Sequence, residues 1–233
     1  MSLKMTGNFR IPSGSFKAGD PPPPPPSFTP ATWDSSRFAL SASHYTLSNG
    51  DRDVTGIMSG NGNLGGFATN DVTSGKWYWE VTLTSFVGTW SKQGKYGIAA
   101  SSFTQYATHP NGDHPNPGTV IFNNLTYVND VSIGGNGLTT QAQGDVLMFA
   151  LDMDNKYFYA GQNGTWANGA SIADIEAGSG ANSTGPQLTE SSYAPYIGKT
   201  PVIASASYTF TARINGGQDA FTYAVPTGFT AGI

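Results

Sequence analysis

Residues able to do chemistry are sparse in this sequence. The segment His109-Pro110-Asn111-Gly112-Asp113-His114 gathers two imidazoles and a carboxylate, all suitable metal ligands. It is a proline- and glycine-bearing stretch rather than a helix face, and the chain has no cysteine to assist. An ordinary surface loop is the simpler reading, so no metal is expected. Asp152 and Asp154 alternate and would share a strand face, as a calcium site or a carboxylate pair would require. A hairpin turn at Asp154-Asn155 accounts for them more simply. No Gly-x-Ser-x-Gly elbow, phosphate loop or His-Glu-x-x-His helix occurs. The expectation is therefore a protein that is not an enzyme and needs no cofactor.

Aromatic residues in polar surroundings are a better lead. Trp90, Tyr106, Tyr127 and Trp166 sit among Gly, Asn and Ser. Rigid rings with adaptable polar neighbours suit protein or sugar surfaces. With His109 and His114 they form the candidate set of binding residues on rim loops. The alternative is that each ring packs on the edge of a core.

The elements that would position these residues are strands. Only 11% of residues are Asp, Glu, Lys or Arg, against 30 glycines and 29 aromatics (13 Phe, 11 Tyr, 5 Trp); the usual charged share is about a quarter. In Lys76–Leu83, Trp77, Trp79, Val81 and Leu83 alternate with Tyr78, Glu80 and Thr82, the period of a half-buried strand. Tyr96–Ala100 reads as a short buried strand in which Gly97 permits close packing. Asp145–Leu151 is a continuous apolar run, expected to be covered on both faces. Asp152–Lys156 turns the chain back into Tyr157–Ala160, and Asn163-Gly164 signals a type I′ turn before Thr165-Trp166. Val202 to Ala212 is a second alternating strand. Gly50–Asn63 reads as turn-rich, and 103–145 and 176–192 read mostly as loop. Many short strands between turn signals predict an all-β antiparallel sandwich or jelly roll. Less than about a tenth of the sandwich should be α-helix, and Trp77, Trp79, Val81, Tyr208 and Phe210 should be buried between its sheets.

Residues 1–30 are of another kind. Pro21 to Pro26 are six consecutive prolines, a stiff polyproline II rod of roughly 19 Å at about 3.1 Å per residue. Before it, Phe9, Ile11 and Phe16 are apolar plugs without a core of their own, and Arg10 and Lys17 are charged contacts. Lys4, Arg10 and Lys17 against Asp20 give residues 1–20 a net +2 within a total of −4, so the remainder carries −6. A basic arm on an acidic body implies different partners for the two parts. The organisation expected is an extended anchoring arm with a spacer over 1–30 and a sandwich over 31–233. The overall charge gives no drive towards nucleic acid. No apolar run of 18 residues is present to span a membrane, and the N-terminus lacks the apolar core of a signal peptide.

Four segments in order carry a family resemblance. Gly75-Lys76-Trp77-Tyr78-Trp79-Glu80-Val81 is similar to the signature strand of SPRY domains. Gly144–Asp152 resembles that family's Gly-Asp-hydrophobic strand ending in Asp. Lys156–Tyr159 through Gln162-Asn163-Gly164-Thr165-Trp166 resembles its aromatic strand with an Asn-Gly turn. Phe221–Phe229 resembles its closing aromatic–Pro–Gly–Phe element. Together these cover roughly residues 33–233. The Asn-Gly-Thr-Trp turn with a Tyr-x-x-Pro-x-Gly-Phe terminus resembles the divergent SPRY-type domains of bacteriophage structural proteins. The resemblance implies a bent two-sheet sandwich that binds through variable loops at one rim, with no fixed catalytic set. The expected role is a non-enzymatic virion component, assembled in the host cytoplasm. Residues 1–30 would dock on other virion proteins of a capsid or tail, within a homo-oligomer or larger assembly. The sandwich loops would meet a host-surface glycan or protein. A cytoplasmic adaptor binding a peptide or protein is the alternative, and a carbohydrate-active enzyme on a related jelly roll is a third reading.

Overall fold

In the computed structural model, residues 28–38, 44–59, 65–87, 94–103, 117–129, 131–199 and 207–233 are described. Strands follow the order β1 (Tyr45–Ser48), β2 (Asp53–Ser59), β3 (Gly65–Phe67), β4 (Lys76–Val87), β5 (Gly94–Ala100), β6 (Gly118–Phe122), β7 (Leu125–Val128), β8 (Val131–Gly135), β9 (Val146–Asp152), β10 (Tyr157–Gln162), β11 (Thr165–Trp166), β12 (Tyr193–Lys199), β13 (Ser207–Asn215) and β14 (Thr230–Ala231). Among the described residues the α-helix is limited to α1 (Ile172–Glu176). Its first turn is fixed by reciprocal Ser171 and Asp174 hydrogen bonds, a capping box.

Two sheets form the sandwich. One runs β1-β2-β13-β4-β9-β10-β11, with β14 added parallel to the start of β4; the other runs β3-β12-β5-β6-β7-β8. All other pairings are antiparallel. The sequence pattern places the core. Trp79, Val81 and Leu83 on β4 point inward with Leu147, Phe149 and Leu151 of β9 and Phe210, Ala212 and Ile214 of β13. Trp79 and Phe149 stack at 5.3 Å, and Phe149 and Phe158 at 5.9 Å, so a row of offset rings runs across three strands. Tyr96, Ile98, Ile121 and Ile197 close the core from the opposite sheet. Gly97 faces the other way, and a Cβ there would stand 2.2 Å from the carbonyl oxygen of Thr119 on β6. Only glycine lets the two strands approach so closely.

Several expectations change. Trp77 is half-buried rather than buried, because it stands at the end of β4, where the core opens into a cleft. The opposite face of β4 is not solvated either: Tyr78 and Glu80 are buried beneath the C-terminal segment. The stretch 103–145 is not loop throughout, since β6, β7 and β8 form a meander within it. Gly50–Asn63 contains β2 rather than turns alone. The closing segment Phe221–Phe229 lies across the sheet without joining its ladder, and Thr230–Ala231 and Gly232 after it pair with the start of β4. The Tyr208 side chain and residues 200–206, the first part of the second alternating run, lie outside the described residues.

Candidate functional site

Strand directions sort the connections into two ends. The first end carries 49–52, 68–75, 153–156 and the approach to β12 at 186–192; the second carries 123–124, 136–145 and 163–164. The root of the N-terminal segment lies at the first end. There the Ala31 N–H donates to the Ile233 carbonyl at 2.7 Å, the Thr69 N–H to the Thr32 carbonyl at 2.8 Å and Asn70 Nδ2 to the Thr29 carbonyl at 2.7 Å.

The same end holds a cleft of about 430 Å3 lined by Phe28, Thr69–Ser74, Trp77 and Ile233, within the size range of ligand sites. The rings of Phe28 and Trp77 meet edge to face at 6.0 Å and 83°. The Trp77 indole N–H donates to the Ser74 carbonyl at 2.7 Å, which fixes the ring. Asp71 on the lip is paired with Arg37 at 2.9 Å. Arg37 also lies over the Phe67 ring, 4.4 Å from its centroid. A smaller cleft of about 170 Å3 between β6, β7 and Pro186–Thr189 opens at the same end.

Behind Trp77, β4 and β9 meet at a buried carboxylate. Asp152 accepts from the backbone N–H groups of Asp154 (3.1 Å) and Asn155 (2.9 Å), from Asn155 Nδ2 (2.8 Å) and from Lys76 Nζ (2.9 Å). Burial works to raise its pKa, but the Asn155 hydrogen bonds and Lys76 outweigh burial and hold it below the usual carboxylate range. Asp154 turns away and accepts the Gly75 N–H at 2.7 Å. The two aspartates therefore close a hairpin turn and brace β4 rather than converge as a carboxylate pair. Among the described residues, no three His, Asp or Glu side chains gather as a metal cluster would.

The outer face of the larger sheet is also covered. Tyr78, Met148, Tyr159, Trp166, Ile175 and Phe229 form a second apolar cluster. Burial, then the Glu80 carboxylate, drives the Tyr78 phenol far above its ordinary range. Burial, then Asp152, pushes Tyr159 up to about 12. Both stay neutral donors, to Glu80 Oε1 and to the Ser179 carbonyl.

Two of the six candidate rim residues, Trp166 and Tyr127, fall within the described residues. Trp166 is only 7% exposed and meets the Tyr78 ring edge-on, because the C-terminal strap covers β11. Tyr127 stands on β7, half-buried against an outer-face cluster with Phe67, Val120, Tyr196 and Phe103, rather than in a loop. Trp90, Tyr106, His109 and His114 lie outside the described residues, as do Phe9, Arg10, Ile11, Phe16 and Lys17 of the arm. In sequence, Tyr106, His109 and His114 fall between β5 and β6, and Trp90 between β4 and β5. The Phe28–Trp77 cleft had no sequence signal of its own, since its lining is joined only by the fold.

The SPRY domain of human HERC1 superposes with a TM-score of 0.55, covering 81% of this chain and 99% of that one at 16% identity. The chain has a SPRY-type fold. The TRIM65 PSpry domain aligns over 80% of this chain and 92% of that one, at 11% identity and a TM-score of 0.49. No family model and no curated relative matches the sequence. Among the described residues, no helix is long and apolar enough to cross a membrane.

Proposed function

We propose that this chain is a non-catalytic protein-binding component of a virion, held to a capsid or tail by residues 1–30, with its SPRY-type sandwich displayed outward. The observation that carries this reading is the polarity of the sandwich. Its N-terminal root is fastened at the first end, through Ala31 to Ile233 and Asn70 to Thr29. Whatever holds the arm faces that end. The displayed end is the opposite one, where the turns at 123–124, 136–145 and 163–164 lie. Trp90, between β4 and β5 in the sequence, is the proposed recognition residue, and the partner is a host-surface protein or glycan.

Two supports are independent of this polarity. The Asn-Gly-Thr-Trp turn and the Tyr-x-x-Pro-x-Gly-Phe terminus, which carry the phage resemblance, pack on one another: a Cβ at Gly164 would stand 3.0 Å from the Tyr223 ring. The arm has the opposite charge sign to the body. The test is a pair of full-length variants assembled with the parent particle. Phe9→Ser with Ile11→Ser and Phe16→Ser should lose incorporation while leaving the circular-dichroism melt unchanged. Trp90→Ala should incorporate normally but lose host-surface binding. Undiminished incorporation of the triple variant would move the docking surface onto the sandwich, whereas absence of the native chain from the particle would favour the cytoplasmic-adaptor reading.

A further inference from the structure

We propose that the cleft beside Trp77 is a polyproline-binding groove and that its occupant is the chain's own Pro21–Pro26 segment. Phe28 forms one wall of the cleft, and a single residue, Ser27, separates it from Pro26. The seat of Phe28 is built into the backbone. Cβ atoms at Gly217 and Gly232 would stand 3.2 Å and 2.3 Å from its ring, so glycine at both positions makes room for it. The hydrogen bonds from Asn70 Nδ2 to the Thr29 carbonyl and from Gln218 Nε2 to the Ala31 carbonyl at 2.8 Å pin the residues that follow. The proline run therefore ends two residues before a wall of the cleft.

The chemistry of the lining suits a proline helix. Polyproline II segments dock on aromatic faces and lose little entropy, because their conformation is preformed. Phe28 and Trp77 at 83° make a corner of two rings. Proline carbonyls have no internal partner in this helix and need donors. Thr73 and Ser74, both exposed on the lip, carry hydroxyls. Asp71 is neutralised by Arg37, so the lip presents little charge to a neutral ligand. One turn of the rod, three residues and about 9 Å, spans such a corner. A tether this short gives an effective concentration in the millimolar range, which favours the chain's own segment over a free ligand. Occupancy would fix the direction in which residues 1–20 leave the sandwich. The inference does not depend on the virion reading.

The experiment compares two full-length chains by two-dimensional amide NMR: the native sequence, and one carrying Pro21→Gly, Pro22→Ser, Pro23→Gly, Pro24→Ser, Pro25→Gly and Pro26→Ser. Resonances of Thr69–Ser74 and the Trp77 indole N–H should shift, while those of Trp79 and β9 stay in place. Free hexaproline peptide should then bind the substituted chain at those same residues, and bind the native chain at least roughly tenfold more weakly, because its groove is filled. Superimposable spectra at Thr69–Ser74 and Trp77 would overturn the proposal. So would equal hexaproline binding by both chains, which would mark an open groove awaiting a foreign occupant.

Discussion

Glu80 on β4 accepts the backbone N–H of Tyr223 at 2.8 Å, 143 residues away along the chain. Its second oxygen accepts the Thr222 N–H at 2.9 Å, and the Tyr78 hydroxyl donates to the first at 2.9 Å. Farther along, Glu176 accepts the Thr227 N–H at 2.7 Å, which holds the Glu176 carboxyl below its ordinary range. Two side-chain carboxylates thus do for the C-terminal strap what ladder hydrogen bonds do for a strand. The strap in turn seals Trp166 and Phe229 against the sheet.

Replacing Glu80 tests this directly. Glu80→Ala leaves two backbone donors and a buried phenol without their acceptor, at a cost of about 1–3 kcal/mol. Glu80→Gln keeps one acceptor oxygen and should lose less. In hydrogen exchange, the Thr222 and Tyr223 amides should exchange faster in Glu80→Ala while the β9 amides stay protected. Unchanged protection at 222 and 223 would show that apolar packing, not Glu80, holds the strap.

Legibility in the sequence followed local repetition. The alternation of Trp77 to Leu83 and the apolar run of β9 marked two neighbouring central strands, and Asn163-Gly164 marked the β10–β11 turn, where both residues have positive φ. The β6–β8 meander was hidden because its strands are 4 or 5 residues long and lie among prolines and glycines. The turn at Asn123-Asn124, with Asn123 at φ 52°, was the available signal. The burial of Tyr78 and Glu80 was not legible, since it depends on a strap arriving from the far end of the chain. The cleft was illegible for the same reason: Phe28, Thr69–Ser74 and Trp77 meet only through the fold.

The two β4 tryptophans should behave differently although they share a face. Trp79 is fully buried and stacked on Phe149, so Trp79→Ala should cost about 3–5 kcal/mol through the cavity it leaves. Trp77 is half-buried at the cleft, and Trp77→Ala should cost distinctly less. Urea denaturation of both variants measures the difference. Equal losses would mean that the end of β4 is as tightly enclosed as its middle.

Gly97 should tolerate no side chain. A Cβ would meet the Thr119 carbonyl oxygen at 2.2 Å and the Val120 Cα at 2.8 Å, both backbone atoms that cannot swing aside. Gly97→Ala must spread β5 from β6, at about 1–3 kcal/mol for overpacking, and Gly97→Val should cost more. Thermal melts give the order. A Gly97→Ala variant as stable as the native chain would show that the strands have slack the structure does not display.

Asp152 gives the sandwich a defined response to acid. Its carboxylate is held below the ordinary range despite burial, because Asn155 and Lys76 stabilise the charged form. A carboxyl whose folded pKa lies below its unfolded value stabilises the fold above the unfolded pKa, about 3.9, and that contribution is lost as pH falls through the folded value. At neutral pH, Asp152→Asn removes the partner of the partly buried Lys76 and weakens the 152–156 turn, at about 1–3 kcal/mol. The stability gap between native and variant chains should therefore be constant from about pH 7 to pH 5 and narrow below about pH 4. Urea titrations across that range measure it. A gap that stayed constant down to pH 2 would mean that the hydrogen-bonding shape of the side chain, not its charge, holds the turn beneath Trp77.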